Sequence, residues 1–241
     1  MPSIFGNETD GIINSGNVSG YTTARNTSTG TVQHTSDASD SFAPGLFKFG
    51  SRGGGSSFRF ERYFVSFDTS GITVAPSSAN LKFTIHADPG SNAVNLIAVK
   101  SDAFNGSNNT LEGGDFNNLD VGTPYTAEID SESGSAGDRI SVALNSTALN
   151  DIASSDLFIL ALINHAHDFT NSEPSSTGNY VQGIRFADFS GTSSDPEIDY
   201  VAGSAPSGPA NLTSYNGIAK ASITNINGIT MANITTLNGI S

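Results

Sequence analysis

The stretch NHAHDF holds the densest ligand chemistry in the sequence: His165, His167 and Asp168 close the apolar run DLFILALIN. Two imidazoles two residues apart on a strand share a face, and with a third ligand they suit a transition metal. The same spacing arises wherever a strand runs into a solvated loop, so residue type and spacing alone make these three metal candidates. Acidic loop pairs are a second source of ligands. Asp37 with Asp40, Asp115 with Asp120, and Asp130 with Glu132 offer oxygens of the kind Ca²⁺ accepts. Asp in such loops also bonds to nearby backbone and makes the turn itself. A structural Ca²⁺ is therefore the one cofactor the sequence leaves open, with no residue singled out for it.

Covalent chemistry has little to work with. The chain has no Cys, no Gly-x-Ser-x-Gly elbow with a later His, no P-loop and no dinucleotide fingerprint. Paired carboxylates can cleave glycosides only at a defined separation, which a sequence does not display. The expectation is a protein that is not an enzyme. Four rings in or beside loops, Tyr21, Tyr125, Phe169 and Tyr180, are eligible to stack on a sugar. They are equally suited to closing the edges of a core.

These residues must be positioned by strands. In SFRFERYFVSFD the apolar positions shift parity near Arg62, which predicts either a bulge or burial of both faces. Further strands are expected at 80–87, 94–101, 124–130, 138–144, 156–164, 180–188 and 196–202. NSTALNDIAS is the one credible helix of the body, with an Asn or Ser cap before Ala148, Leu149 and Ile152. Strands without helical crossovers predict an all-β fold, an antiparallel jelly-roll β-sandwich over residues 1–203. SAPSGP, residues 204–209, reads as a linker.

Composition narrows the partners. With 10 Lys and Arg against 23 Asp and Glu the net charge is −13, and nucleic-acid binding, which rests on cations, is not expected. No run approaches the ~20 apolar residues of a membrane span, so membrane insertion is not expected either. MPSIFGNETDGIINSG lacks the basic and apolar segments of a secretory leader, which suits a protein assembled in the cytoplasm and exposed on lysis.

RYFVSFDTSGI (62–72) followed by SSANLKFTI (77–85), with GLFKFGS upstream and YVQGIRFADFSGTSSDPEIDYV (180–201) as a closing hairpin, resembles the DNRLRE-type, disaggregatase-related carbohydrate-binding modules. The resemblance spans about residues 10–202 and implies a jelly roll with a carbohydrate-binding ancestry.

The C-terminus is a tandem repeat: ANLTSYNGIAK (210–220), ASITNINGITM (221–231) and ANITTLNGIS (232–241), 11 residues apart without a gap. Two local structures compete. As type I′ turns, the Asn-Gly pairs would make Tyr215 with Ile218, Ile226 with Ile229, and Leu237 with Ile240 cross-strand partners. As helical turns closed by Gly, the units would align Leu212 with Tyr215, Ile223 with Ile226, and Ile234 with Leu237. That three-residue spacing flips faces in a strand but not in a helix, which tips the expectation toward the helical turn. In either form 32 residues cannot bury these side chains alone. They need another surface, whether the body of the same chain, further copies, or a scaffold.

Such Asn-Gly-Ile tails resemble C-terminal segments of structural proteins of marine tailed phages. That likeness implies a virion protein, as a capsid decoration, head fibre or tail appendage, which associates with itself and with other virion proteins and displays its sandwich toward host-surface glycan. The alternative is a secreted or surface carbohydrate-binding module.

Overall fold

In the computed structural model the described residues are 2–34, 44–50, 54–86, 92–106, 110–189 and 191–204, with 214–216, 218–219, 223–226 and 229–230 in the C-terminal segment. The chain divides into two units, residues 1–201 and 202–241.

The first unit runs β1 (Ser3–Phe5), β2 (Gly11–Asn14), β3 (Val18–Ser19), α1 (Tyr21–Arg25), β4 (Thr31–His34), β5 (Gly45–Gly50), β6 (Ser56–Asp68), β7 (Ser78–Thr84) and β8 (Leu96–Ser101). It continues with β9 (Leu119–Pro124), β10 (Arg139–Ala143), α2 (Ser146–Ser154), β11 (Leu157–Asn164), β12 (Gly178–Val181) and β13 (Glu197–Val201). Two antiparallel sheets result. One has four strands in the order β1-β13-β7-β10; the other has nine, built on β12-β5-β6-β11-β8-β9, with β2 and β3 also paired to β6 and β4 paired to β2. The all-β expectation holds.

The long strand β6 explains the shifted parity. Tyr63, Val65 and Phe67 share one buried cluster with Leu81, Phe83 and Ile198 of the four-stranded sheet. Phe58, Phe60 and Phe64 point the other way, into a second cluster with Tyr21 and Ala24 of α1 and with Phe104 and Phe116. Of the two alternatives, burial of both faces is the one realised. Each such aromatic, taken fully out of water, contributes about 1.5–3 kcal/mol, which is why two charged residues, Glu61 and Arg62, can be carried into the middle of this strand.

α2 forms where NSTALNDIAS predicts it. The Asn145 Oδ1 accepts from Ala148 N at 3.1 Å, and Ala148 and Ile152 are buried. A second short helix, α1, was not expected; its backbone is admitted by Gly20, whose φ of 89° few other residues tolerate. Two expected strands end elsewhere. Residues 125–129 stay beside β8 through Tyr125 N to Ala98 O (2.8 Å) and Ile129 N to Leu96 O (2.8 Å), but without a regular ladder; the strand itself is the preceding β9. The stretch 180–188 is only β12 at its start. After Val181 the chain crosses between sheets, and Arg185 N bonds Thr84 O at 2.9 Å at the end of β7.

In the second unit, β14 (Ser214–Tyr215) pairs with β15 (Ile218–Ala219), and β16 (Asn225–Ile226) with β17 (Ile229–Thr230). Tyr215 faces Ile218, and Ile226 faces Ile229. Asn216 has φ 52°, the left-handed geometry of a type I′ turn. The helical-turn expectation is thereby corrected for the first two copies: Tyr215 with Ile218 and Ile226 with Ile229 are cross-strand partners, as the alternative with Asn-Gly turns has them. Leu212, Ile234, Leu237 and Ile240, the third copy, and residues 205–209 of the expected linker lie outside the described residues.

Candidate functional site

β11 ends at Asn164, a fully buried residue whose side chain redirects the chain. Its Oδ1 accepts from His167 N at 2.9 Å and its Nδ2 donates to Tyr180 O at 2.9 Å. The strand therefore gives way to a wide π-type turn over His165–Phe169. This overturns the common face assumed for the two histidines. His165 stacks on Phe169 with ring centroids 5.4 Å apart, and its Nδ1 lies 3.2 Å from Glu128 Oε1. His167 sets its Nδ1 2.7 Å from Ser172 O and meets the Tyr180 ring edge-on.

Asp168 turns inward instead. Arg62 grips it with two bonds, Nε to Oδ2 at 2.7 Å and Nη2 to Oδ1 at 2.9 Å. Arg25 donates from Nε to the Asp168 carbonyl at 2.7 Å. The Arg62 guanidinium also bonds the carbonyls of Phe116 and Arg25 and lies over the Phe116 ring, so four of its five N–H donors are used and its charge is matched. The proposed metal trio is thus split between two surface rings and a buried ion pair. Among the described residues no group of three or more His, Cys, Asp or Glu is arranged to hold a metal.

The turn nevertheless gathers most of the sequence's candidates. Tyr21 donates from its hydroxyl to His167 O, and burial, with the nearby Asp168 charge, raises its pKa well above the phenol range. It packs edge-on against Phe58 and Phe60 in the core, so its ring offers no platform. Phe169 and Tyr180 are half-buried and border the surface. Around them stand Glu128, bonded to Asn95 at 2.8 Å, and the Lys48–Glu173 pair at 2.8 Å. Half-exposed rings beside amides and carboxylates are the materials of a sugar subsite.

Tyr125 lies apart from this group. It is buried against Phe158, with centroids 4.9 Å apart, and its hydroxyl donates to Asp151 Oδ2 at 2.6 Å. Burial and the bond to Asp151 raise its pKa. It borders a cavity of about 360 Å³ whose walls include Lys100, Asp102, Asp151 and Asp156. Lys100 is already paired with Asp151 at 2.9 Å, so the cleft is net acidic and suits hydroxyl-rich or cationic guests over anions. Its composition came from three separate segments and had no signature in the sequence.

Of the loop carboxylates considered for Ca²⁺, Asp115, Asp120 and Asp130 are used by their own turns. Asp115 accepts from Glu112 N at 2.9 Å and from Asn118 Nδ2 at 3.0 Å. Asp120 accepts from Thr123 and from Gly122 N, bonds that hold its carboxyl below the ordinary range. Asp130 accepts from Ser133 at 2.8 Å, while Glu132 is tied by its backbone to Asn95. Asp37 and Asp40 lie outside the described residues.

Comparison of the chain with known protein families and with curated proteins finds no match.

Proposed function

We propose that this protein is a non-enzymatic virion structural component, a jelly-roll sandwich displayed outward and a repeat tail through which copies assemble with each other and with other virion proteins. One observation carries the reading. In two successive repeats a short antiparallel pair forms in the same register, Tyr215 opposite Ile218 and Ile226 opposite Ile229, and each sets an isoleucine at the same place in the open: Ile218 is 54% exposed and Ile229 53%. A lone two-stranded hairpin is marginal in water, so each pair gains from a surface to pack on, and the repeated isoleucine offers successive copies the same apolar contact. Repetition then multiplies a weak contact through effective concentration. The acidic, cysteine-free composition suits a particle exposed to solvent without disulfides.

The test is the mass of the full chain by light scattering and its symmetry by electron microscopy, beside the double variant Ile218→Ser/Ile229→Ser and a chain ending at residue 203. A defined oligomer that both changes dissolve is expected. A monomer in all three would overturn the proposal.

The paired rings of the π-type turn favour a second reading, a glycan-binding module. Its test is a glycan array probed with the native chain and with Tyr180→Ala and Phe169→Ala. Saturable binding lost in either variant supports it, and a blank array removes it.

A further inference from the structure

Buried carboxylate oxygens without a partner are rare enough to require an explanation, an unseen ion among them. Two occur at one place in this fold. Asp10 is 0% exposed and Asp195 is 5% exposed, and the Oδ1 of each accepts no hydrogen bond. The buried Thr9 Oγ1, beside Asp10, is also without a partner.

The backbone brings these segments together. β1 pairs with β13 with Phe5 opposite Glu197, and just beyond the strands Gly6 N bonds Pro196 O at 2.8 Å. From there the chain leaves β13 for β6, where Asn7 N bonds Ser66 O at 2.9 Å, so Asp195 lies next to the point at which the two segments part. The chain then turns, with Asp10 N on Asn7 O at 3.1 Å, and Asp10 Oδ2 accepts from Ala187 N at 2.9 Å and from the Tyr63 hydroxyl. Three loops therefore meet here: 7–10, 186–189 and 191–195.

Carboxylates crowd this neighbourhood. Burial, and then the charges of Asp188 and Asp195, push the Asp10 carboxyl up to about 7 against the pull of its hydrogen bonds. Burial raises Asp195 as well, with Asp188 and Glu8 adding to it and Arg139 opposing. Arg139 donates to the Asp195 carbonyl (2.6 Å) and to Glu197 Oε2 (2.8 Å), leaving the Asp195 Oδ1 unbonded.

We infer that Asp10, Asp195 and the Thr9 hydroxyl form the core of a divalent-cation site of calcium type, which ties the N-terminal turn to the loop preceding β13. The donors are all oxygen, with two carboxylates and no imidazole or thiolate. That set suits a hard cation. Ca²⁺ takes six to eight oxygens in loose geometry and completes its shell with carbonyls and water, whereas Mg²⁺ demands a near-ideal octahedron. Two carboxylates and a hydroxyl from loops answer the first requirement and not the second.

The test uses the full chain stripped with a chelator and titrated with Tb³⁺, a Ca²⁺ surrogate excited through tyrosine. The chain has no Trp and Tyr63 bonds Asp10 directly, so the local donor is built in. Saturable emission, displaced by Ca²⁺ and not by Mg²⁺, is expected. Asp10→Asn and Asp195→Asn should each weaken binding by about tenfold or more, while Asp120→Asn leaves it unchanged. Ca²⁺ should raise the melting temperature of the native chain and not of Asp10→Asn. Emission that never saturates, or that survives both variants, overturns the site. So does a native melting temperature indifferent to Ca²⁺, which would mean that the orphan oxygens are met by protonation alone.

Discussion

Arg62 and Tyr63 are neighbours on β6, point to opposite faces, and each bonds a buried aspartate, yet the two aspartates are in different electrostatic situations. Under Arg62, Asp168 has both oxygens engaged and its charge matched by a guanidinium held in two further carbonyl bonds. Under Tyr63, Asp10 has one oxygen bonded twice and the other not at all, with only carboxylates adding to the field. Depth is the same on the two faces. What differs is the donor: a guanidinium supplies charge and paired N–H groups, and a phenol supplies one neutral O–H. The first arrangement is finished within the chain, and the second is completed by something from solution, a proton or a cation.

The largest effect should come from breaking the finished side. Asp168→Ala leaves Arg62 buried and uncompensated, a change that costs about 3–5 kcal/mol in comparable sites. Urea unfolding followed by circular dichroism measures it. A loss under about 1 kcal/mol would place the pair with weak surface bridges and erase the contrast.

Next comes the pH dependence of the unfinished side, measured in chelator so that no cation intervenes. The folded-state carboxyl of Asp10, near 7, lies above its unfolded value of 3.8, so between these values the native state holds the extra proton. Stability then falls as pH rises: the contribution is whole below about 4 and gone above about 7, on the order of 4 kcal/mol at most. Asp10→Asn should flatten that slope relative to the native chain. Parallel curves for the two proteins would show that Asp10 is not the titrating group.

The contrast explains what the sequence could disclose. Strands β6, β7, β8 and β11 are visible as apolar runs, and α2 as an Asn cap ahead of Ala148 and Ile152, because their causes are local. Arg62 and Asp168 are 106 residues apart and Asp10 and Ala187 are 177 apart, so no spacing rule joins either pair. NHAHDF misled for a related reason. Strand alternation does not continue past Asn164, whose side chain captures His167 N and stops the strand. The tail differs in the opposite direction: its three-residue spacing suits a helical turn, yet the left-handed preference at Asn216 is the stronger local cause. The carbohydrate-like rings were legible as residue types only. Whether a ring is core, as Tyr21 and Tyr125 are, or half-exposed, as Phe169 and Tyr180 are, depends on what the second layer covers.

The smallest effect is the most selective. Tyr63→Phe removes one hydroxyl and no volume that the core needs, so its cost reports the bond to Asp10 alone. A hydrogen bond to a charged group is worth about 1.5–3 kcal/mol and one between neutral groups about 0.5–1.5. Asp10 changes from neutral to charged across its titration, so in chelator the variant should lose more stability at pH 8 than at pH 5. The direction of the titration should move too, because the Tyr63 bond lowers the Asp10 pKa, and without it the downward slope should extend to higher pH. Arg62→Lys, tested in parallel, should show no such pH dependence, since it leaves the Tyr63–Asp10 bond in place. A Tyr63→Phe loss that is equal at the two pH values would mean that Asp10 does not ionise there, and the two faces of β6 would then differ only in how many bonds they make.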